Sequence, residues 1–399
     1  MKILLLNCVY RKGSTGKIVA SLSDTLRSHG HEVLTCYGIG NSNIDVYSKK
    51  ICTNFEHNIN ALLSRIIGIP FGGFYLSNRR VEKIIRHFNP DVVHVHLLNG
   101  SVINLYSLLK YLSKIGQKTV LTLHAEVYHT AGCGHAFDCS KWVEGCRDCN
   151  VYRQRVNSWF FDRSKEAYKK MYDAINSFPT DRLVITAVSP WLAARAKQSS
   201  ITKRYNIEYV PNGVDYSTFF YRTSMNLIDR EQYEKIILFV TPYFGLEEND
   251  NKGGFYLPTI ASNLLKYKFV VVSSRTSSTL SELPRNIQLW GPAKTQEELA
   301  QLYSESDITL LLSKRETFSM VTAESLCCGT PVVGFKAGGP ESIAIEDFTK
   351  FVDYGNVDRI IKEISFEWNV DKKEVSTHSR MKYSKDLMSA LFYDLYVKL

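Results

Sequence analysis

Short apolar runs alternate with longer stretches whose apolar residues recur at helical spacing, and the alternation persists along most of the chain. Near-continuous apolar runs of this kind read as strands buried on both faces, as in parallel sheets covered by helices. The first half predicts strands near residues 2–7, 31–37, 91–96, 119–124 and 183–188, with helices near 16–28, 102–114 and 159–175. A second series predicts strands near 235–240, 269–273, 287–289, 308–312 and 331–335, and a Thr295/Glu298 capping box opens a helix over 299–303. Between the series lies Pro211-Asn212-Gly213-Val214-Asp215, where Pro fixes one φ angle and Asn-Gly tolerates a left-handed turn. The reading is an α/β chain of two domains, 1–214 and 235–383, followed by an amphipathic, aromatic stretch at 384–399.

Length and composition agree with this. A chain of 399 residues accommodates two ordinary domains, and 44% apolar residues is usual for a globular protein. No run of eighteen apolar residues occurs, so no spanning helix is expected. The opening Met1-Lys2-Ile3-Leu4-Leu5-Leu6-Asn7 is too short an apolar run for a signal peptide. A cytoplasmic protein with reduced cysteines is the expectation. Charge is uneven: residues 1–204 hold 28 Lys and Arg against 14 Asp and Glu, giving +14, whereas the remainder holds 21 against 26, giving −5. A basic first half favours an anionic partner. The basic residues are interspersed with apolar strands and no nucleic-acid-binding module appears, so a zinc-containing nucleic-acid-binding protein is only a distant alternative and no nucleic acid partner is expected.

The densest chemistry lies between Ser313 and Glu341. Glu316 and Glu324 stand eight positions apart, about 12 Å if the span were all helix. Glu316 is expected in a loop and Glu324 inside a helix that begins near Ser319. Carboxylates accept paired hydrogen bonds from neighbouring hydroxyls, and the helix start between them offers backbone N–H groups to a diphosphate. Two polyols flanking a diphosphate describe a nucleotide sugar.

This stretch, with Glu-seven residues-Glu, Gly329-Thr330-Pro331-Val332-Val333 and Gly338-Gly339-Pro340-Glu341, resembles the signature of the family-four retaining glycosyltransferases of the bacterial polysaccharide-biosynthesis type. The resemblance implies the GT-B arrangement, in which two doubly wound Rossmann-like domains face each other across a cleft. The first would bind the acceptor and the second the nucleotide-sugar donor, with residues 384–399 crossing back to the first. It further implies a hexosyltransferase that retains anomeric configuration by front-face attack and needs no catalytic metal. In that scheme Glu316 holds donor-sugar hydroxyls, Glu324 holds the ribose, and Lys252 with the backbone of Phe318, Ser319 and Met320 stabilises the leaving diphosphate. Gly16, in the small-residue turn Gly13-Ser14-Thr15-Gly16-Lys17, lets backbone approach the donor. That turn is not an NTPase phosphate loop, because only two residues separate its glycines and Ile18 replaces the magnesium-binding hydroxyl. His124 takes the place of the family's cleft histidine. Many relatives continue with Asp, where this chain has Ala125, leaving Glu126 as the nearest carboxylate.

Further residues extend the picture. His94 and His96, two apart on a strand, face one side, and His96 with Asn99 is placed on the acceptor side. Four cysteines, Cys133, Cys139, Cys146 and Cys149, have a spacing open to a structural zinc, to free thiols or to a disulfide. Many polysaccharide-building relatives resemble this chain in such a loop, which here contains Trp142. Residues 61–76 are apolar apart from Arg65 and are expected either to pack or to rest on a membrane surface. The combined expectation is sugar transfer from a nucleotide sugar to a lipid-linked saccharide, by a peripheral protein at the anionic inner face of the cytoplasmic membrane. A nucleotide-sugar epimerase on the same scaffold is the alternative.

Overall fold

The computed structural model describes every residue except 43, 74–75, 224, 231 and 279–282. The apolar stretch at 61–76 therefore includes two positions, 74–75, outside the described residues. The chain divides into two compact units, Met1–Gly213 with Met388–Leu399, and Val214–Leu387.

The first unit is built on β1 (Lys2–Val9), β2 (Glu32–Ile39), β3 (Ser48–Lys50), β4 (Val92–Val95), β5 (Thr119–Leu123), β6 (Leu183–Ala187) and β7 (Ile207–Tyr209). These form one sheet in the order β3-β2-β1-β4-β5-β6-β7, parallel throughout. Ile3, Leu4, Leu5, Val92, Val93, Val120 and Leu121 are fully buried, which is why these strands carry runs rather than alternation. The strand order reverses between β1 and β4, so the loops leaving those strands diverge and open a crevice at their carboxyl ends. Asn7 ties the two loops together: its amide donates to the Val9 carbonyl at 2.7 Å and accepts from the Leu97 N–H at 3.1 Å. At Gly100 a Cβ would stand 2.3 Å from the Cys8 sulfur, so glycine is required for that loop to lie against β1.

The second unit holds β8 (Lys235–Thr241), β9 (Tyr267–Ser273), β10 (Ile287–Gly291), β11 (Ile308–Leu311), β12 (Val332–Phe335) and β13 (Thr349–Val352). They form a parallel sheet in the order β10-β9-β8-β11-β12-β13, which reverses between β8 and β11. Ile237, Phe239, Phe269, Leu310, Leu312 and Phe335 belong to its core. Both units are thus doubly wound and Rossmann-like. Among the described residues no helix is long and apolar enough to cross a membrane.

Three strands lie outside the sequence expectation: β3, β7 and β13 are three or four residues long and carry polar residues. The helix expected over 159–175 forms only as Ser164–Ile175, and a short separate helix, Tyr152–Val156, precedes it. Asn157, at φ 57°, closes the short helix, and Asp162 accepts from the Ser164 N–H at 2.9 Å to open the longer one. Trp159, Phe160 and Phe161 are left in the connecting loop with their side chains exposed.

Candidate active site

In the second unit the loops after β8 and β11 meet at the point where strand order reverses. Lys252 Nζ stands 2.5 Å from Glu316 Oε1, and the Ser313 hydroxyl donates to the same oxygen at 2.9 Å. Backbone contacts set this pair. Gly253 adopts a left-handed φ of 72°, and a Cβ there would come within 2.1 Å of the Leu312 carbonyl. The Lys-Gly sequence therefore lets the loop after β8 lie on the end of β11. The Lys314 N–H donates to the Asn251 carbonyl at 2.8 Å, and the Asn251 amide donates to the Arg315 carbonyl at 2.8 Å. On the other side Glu316 N–H donates to Ala337 and Gly339 N–H donates to Glu316, at 3.0 and 2.9 Å. The Gly338-Gly339 loop is thereby fastened against Glu316.

The helix Met320–Cys327 starts beside this pair. Its cap, Ser319, holds φ 82° and ψ 90°, and its hydroxyl accepts from the Thr322 N–H at 3.2 Å. A non-glycine residue in such a conformation costs about 1–3 kcal/mol, a cost that recurs where backbone geometry serves a ligand. The remaining N–H groups of the first turn and the positive end of the helix form an anion-receptive corner. Glu324 lies within the helix, half-buried beside Tyr303. Burial first, and the neighbouring Glu324 second, push the Tyr303 phenol well above its ordinary range. Glu316, Lys252, Phe318, Ser319, Met320 and Glu324 thus fall in one region of the second unit. Gly16 and His124 belong to the first.

In the first unit Gly16 lies in the helix Gly13–Ser28, where a Cβ would stand 3.0 Å from Val9 Cγ2. His94, His96 and His124 form a row near the carboxyl ends of β4 and β5. The His94 and His96 rings stack with centroids 3.8 Å apart, and His96 Nδ1 lies 3.1 Å from His124 Nε2. The Tyr396 hydroxyl and Thr122 hydroxyl flank His94, each at 2.6 Å. Burial pushes His124 down to about 4, so near pH 7 it is a neutral imidazole rather than a cation. His96 is wholly buried, whereas Asn99 lines an open cavity.

Glu126 is not a free carboxylate beside His124. It is fully buried, accepts from Arg195 Nε at 2.6 Å and from the Ala136 N–H at 2.7 Å, and lies 3.5 Å from His129. Burial works to raise its pKa, but His129, Arg195 and the Ala136 N–H together hold it down to about 2. It anchors the cysteine loop. Cys133, Cys139, Cys146 and Cys149 are free thiols, and among the described residues no group of three or more His, Cys, Asp or Glu side chains is placed to hold a metal ion. Burial pushes the Cys133 and Cys146 thiols up to about 12.

The Glu126 clamp has a measurable consequence. Glu126→Gln is expected to destabilise the protein by about 3–5 kcal/mol at pH 7, because Arg195 loses its buried partner. The carboxyl's folded pKa of about 2 lies below its ordinary 4.5, so its contribution is full above the ordinary value and is lost as pH falls toward 2. The thermal midpoints of wild type and variant should therefore converge as pH falls from 7 to 3. A gap that stays constant over that range would contradict the clamp.

Comparison with known proteins identifies the family and the fold. The family model described as Glycosyltransferase Family 4 matches residues 15–218, more than half the chain, and that described as Glycosyl transferases group 1 matches residues 273–375. N-acetyl-alpha-D-glucosaminyl L-malate synthase of Bacillus anthracis is 22% identical over 366 residues, covering 88% of this chain and 83% of its own. Sucrose-phosphate synthase of Thermosynechococcus elongatus shares the fold with a TM-score of 0.70 at 13% identity, over 100% of this chain and 98% of that one. Anabaena Alr3699/HepE, solved with UDP and glucose, superposes with a TM-score of 0.64 at 14% identity over the whole of both chains. Two doubly wound units are the GT-B plan, and the chain belongs to glycosyltransferase family 4.

Proposed function

We propose that the protein transfers a sugar from a nucleotide sugar to an acceptor hydroxyl with retention of anomeric configuration. The observation that carries this reading is the Lys252–Glu316 pair beside the start of the helix Met320–Cys327. Lys252 and the free N–H groups of that helix stabilise negative charge as the diphosphate departs. Glu316 orients hydroxyls of the transferred sugar, and Glu324 binds the ribose. Glu316 is held by Lys252 and Ser313, an arrangement suited to hydrogen bonding rather than to nucleophilic attack. Retention then follows from front-face attack, in which the leaving phosphate oxygen takes the acceptor's proton. His124, neutral by burial, exchanges hydrogen bonds with substrate on the first unit. UDP in the HepE structure makes a uridine nucleotide the first donor to try.

We assign the acceptor to the lipid-linked saccharides of surface polysaccharide synthesis, met at a membrane surface. The support is an apolar ridge on the basic first unit. Phe55, Leu62 and Ile66 share one stripe of the helix Asn54–Ile67, and Trp159, Phe160 and Phe161 stand exposed beside its end. The Trp159 N–H donates to the Arg65 carbonyl at 2.8 Å, which joins the two segments.

A thermal-shift panel of UDP-, GDP- and ADP-sugars identifies the donor, since a ligand at 100 times its Kd stabilises by about 2.7 kcal/mol. With that donor and an added acceptor, the expected result is stoichiometric nucleoside diphosphate and a product whose anomeric proton coupling matches the donor's. An inverted anomer would remove the retaining assignment. Turnover of the donor without acceptor or diphosphate release would favour an epimerase.

A further inference from the structure

A cavity of about 380 Å³ opens in the first unit, near the carboxyl end of β4. Separate chain segments build it. The helix Asn54–Ile67 contributes His57 and Arg65, the loop after β4 contributes Asn99 and Ser101, and the helix Tyr152–Val156 with its cap contributes Arg155 and Asn157. Arg65 and Arg155 line it, and among the described residues no Asp or Glu does. Its volume falls in the range of small-molecule sites.

The surrounding backbone is held in costly conformations. Phe71, Ser101 and Asn157, all in the lining, have φ of 59°, 56° and 57°. Left-handed backbone is uncommon for non-glycine residues and marks places where the fold overrides local preference. Gly132, also in the lining, is confined too: at φ 108° a Cβ would stand 2.7 Å from Pro70 Cγ. Arg155 is steadied over the Phe137 ring at 4.2 Å. The Arg65 backbone is fixed at the rim, its carbonyl accepting from the Trp159 N–H at 2.8 Å. A concave space lined by two arginines, with no acid among its described lining residues, is complementary to an oxyanion, which each planar guanidinium fork can engage through two hydrogen bonds.

We propose that this cavity binds an anionic group of the acceptor, a phosphate or a carboxylate, through Arg65 and Arg155. The inference rests on the reading that the first unit handles the acceptor, and deepens it by naming the acceptor's charge. Two sources carry that chemistry. One is the phosphate of a lipid carrier, which the neighbouring ridge would favour. The other is an acidic sugar of the growing saccharide.

Isothermal titration of the full-length protein separates them, using geranyl phosphate against geraniol and glucuronate against glucose. One anionic probe should bind at least tenfold more tightly than its neutral counterpart, and more weakly at high salt. Arg65→Gln and Arg155→Gln should each reduce that affinity about tenfold, and Arg65→Lys should restore part of it. Both arginines are exposed, so unchanged thermal midpoints are expected of the variants. UDP is titrated in parallel as a probe of the second unit. Anionic probes that bind no better than their neutral counterparts, or that bind the double variant as well as wild type, overturn the inference. If UDP still binds in that case, the donor reading stands and only the anionic acceptor falls. If UDP fails while the anionic probe binds, the reverse holds.

Discussion

Glu316→Gln is expected to lower kcat by about 10²–10³-fold while leaving donor KM within a few-fold of wild type. Removing one group that stabilises transition-state charge in a preorganised site typically costs that much. Glutamine preserves shape but removes the charge that anchors Lys252 at 2.5 Å, so both the sugar contacts and the aim of the ammonium are lost. A hydrogen bond to a charged group contributes about 1.5–3 kcal/mol, and here two polar neighbours, Lys252 and Ser313, converge on one oxygen. The contrast is Glu324→Ala, expected to raise donor KM about tenfold with a smaller change in kcat. Ribose contacts exist before and during reaction, so their loss affects binding uniformly. Steady-state kinetics of the two variants, with calorimetric nucleotide titration, resolve the split. Near wild-type kinetics in both would remove the site assignment altogether.

What the sequence disclosed depended on how far apart in the chain the interacting residues lie. Both sheets were legible because their central strands are buried on both faces and so appear as apolar runs, as in Ile3 to Leu6 or Leu310 to Leu312. The edges were not. β3 reads Ser-Lys-Lys and is held by pairing with β2, which composition does not reveal. The grouping of Glu316 and Glu324 was legible because the two share one strand-loop-helix stretch. The contact of Lys252 with Glu316 spans 64 positions, and only Gly253 hints at the close approach that creates it. His94 and His96 were visibly on one face of a strand, but His124 joins their row from the adjacent strand. Glu126 looked like a spare acid because its partner, Arg195, lies 69 positions away. The loop carrying Trp159, Phe160 and Phe161 was read as the start of the helix that follows it. The left-handed Asn157 and the Asp162 turn place them outside one.

Those three aromatics set the other large effect. The protein is expected to sediment with anionic vesicles, and Trp159→Ser with Phe160→Ser is expected to reduce that partition about 30-fold. Fully burying a large apolar side chain stabilises by about 1.5–3 kcal/mol. Trp159 is 45% and Phe160 62% exposed, so each retains roughly half of that, about 1 kcal/mol, for an acyl boundary. Electrostatics should add to this. Arg65, Arg153 and Arg163 lie in or beside the same segments, and each cation near an anionic leaflet contributes about 1 kcal/mol. The two contributions separate by salt. Raising ionic strength shortens the screening length and removes the cationic part, while aromatic insertion persists. Wild type should therefore bind anionic vesicles more tightly than neutral ones, and retain weakened binding at high salt that the double variant lacks. The substituted side chains are exposed, so a lost interaction would not be a lost fold. Equal, negligible binding to both kinds of vesicle, or a double variant indistinguishable from wild type, would leave the ridge without a membrane role. A water-soluble acceptor would then be the better candidate, and the glucuronate arm of the cavity titration the one to pursue.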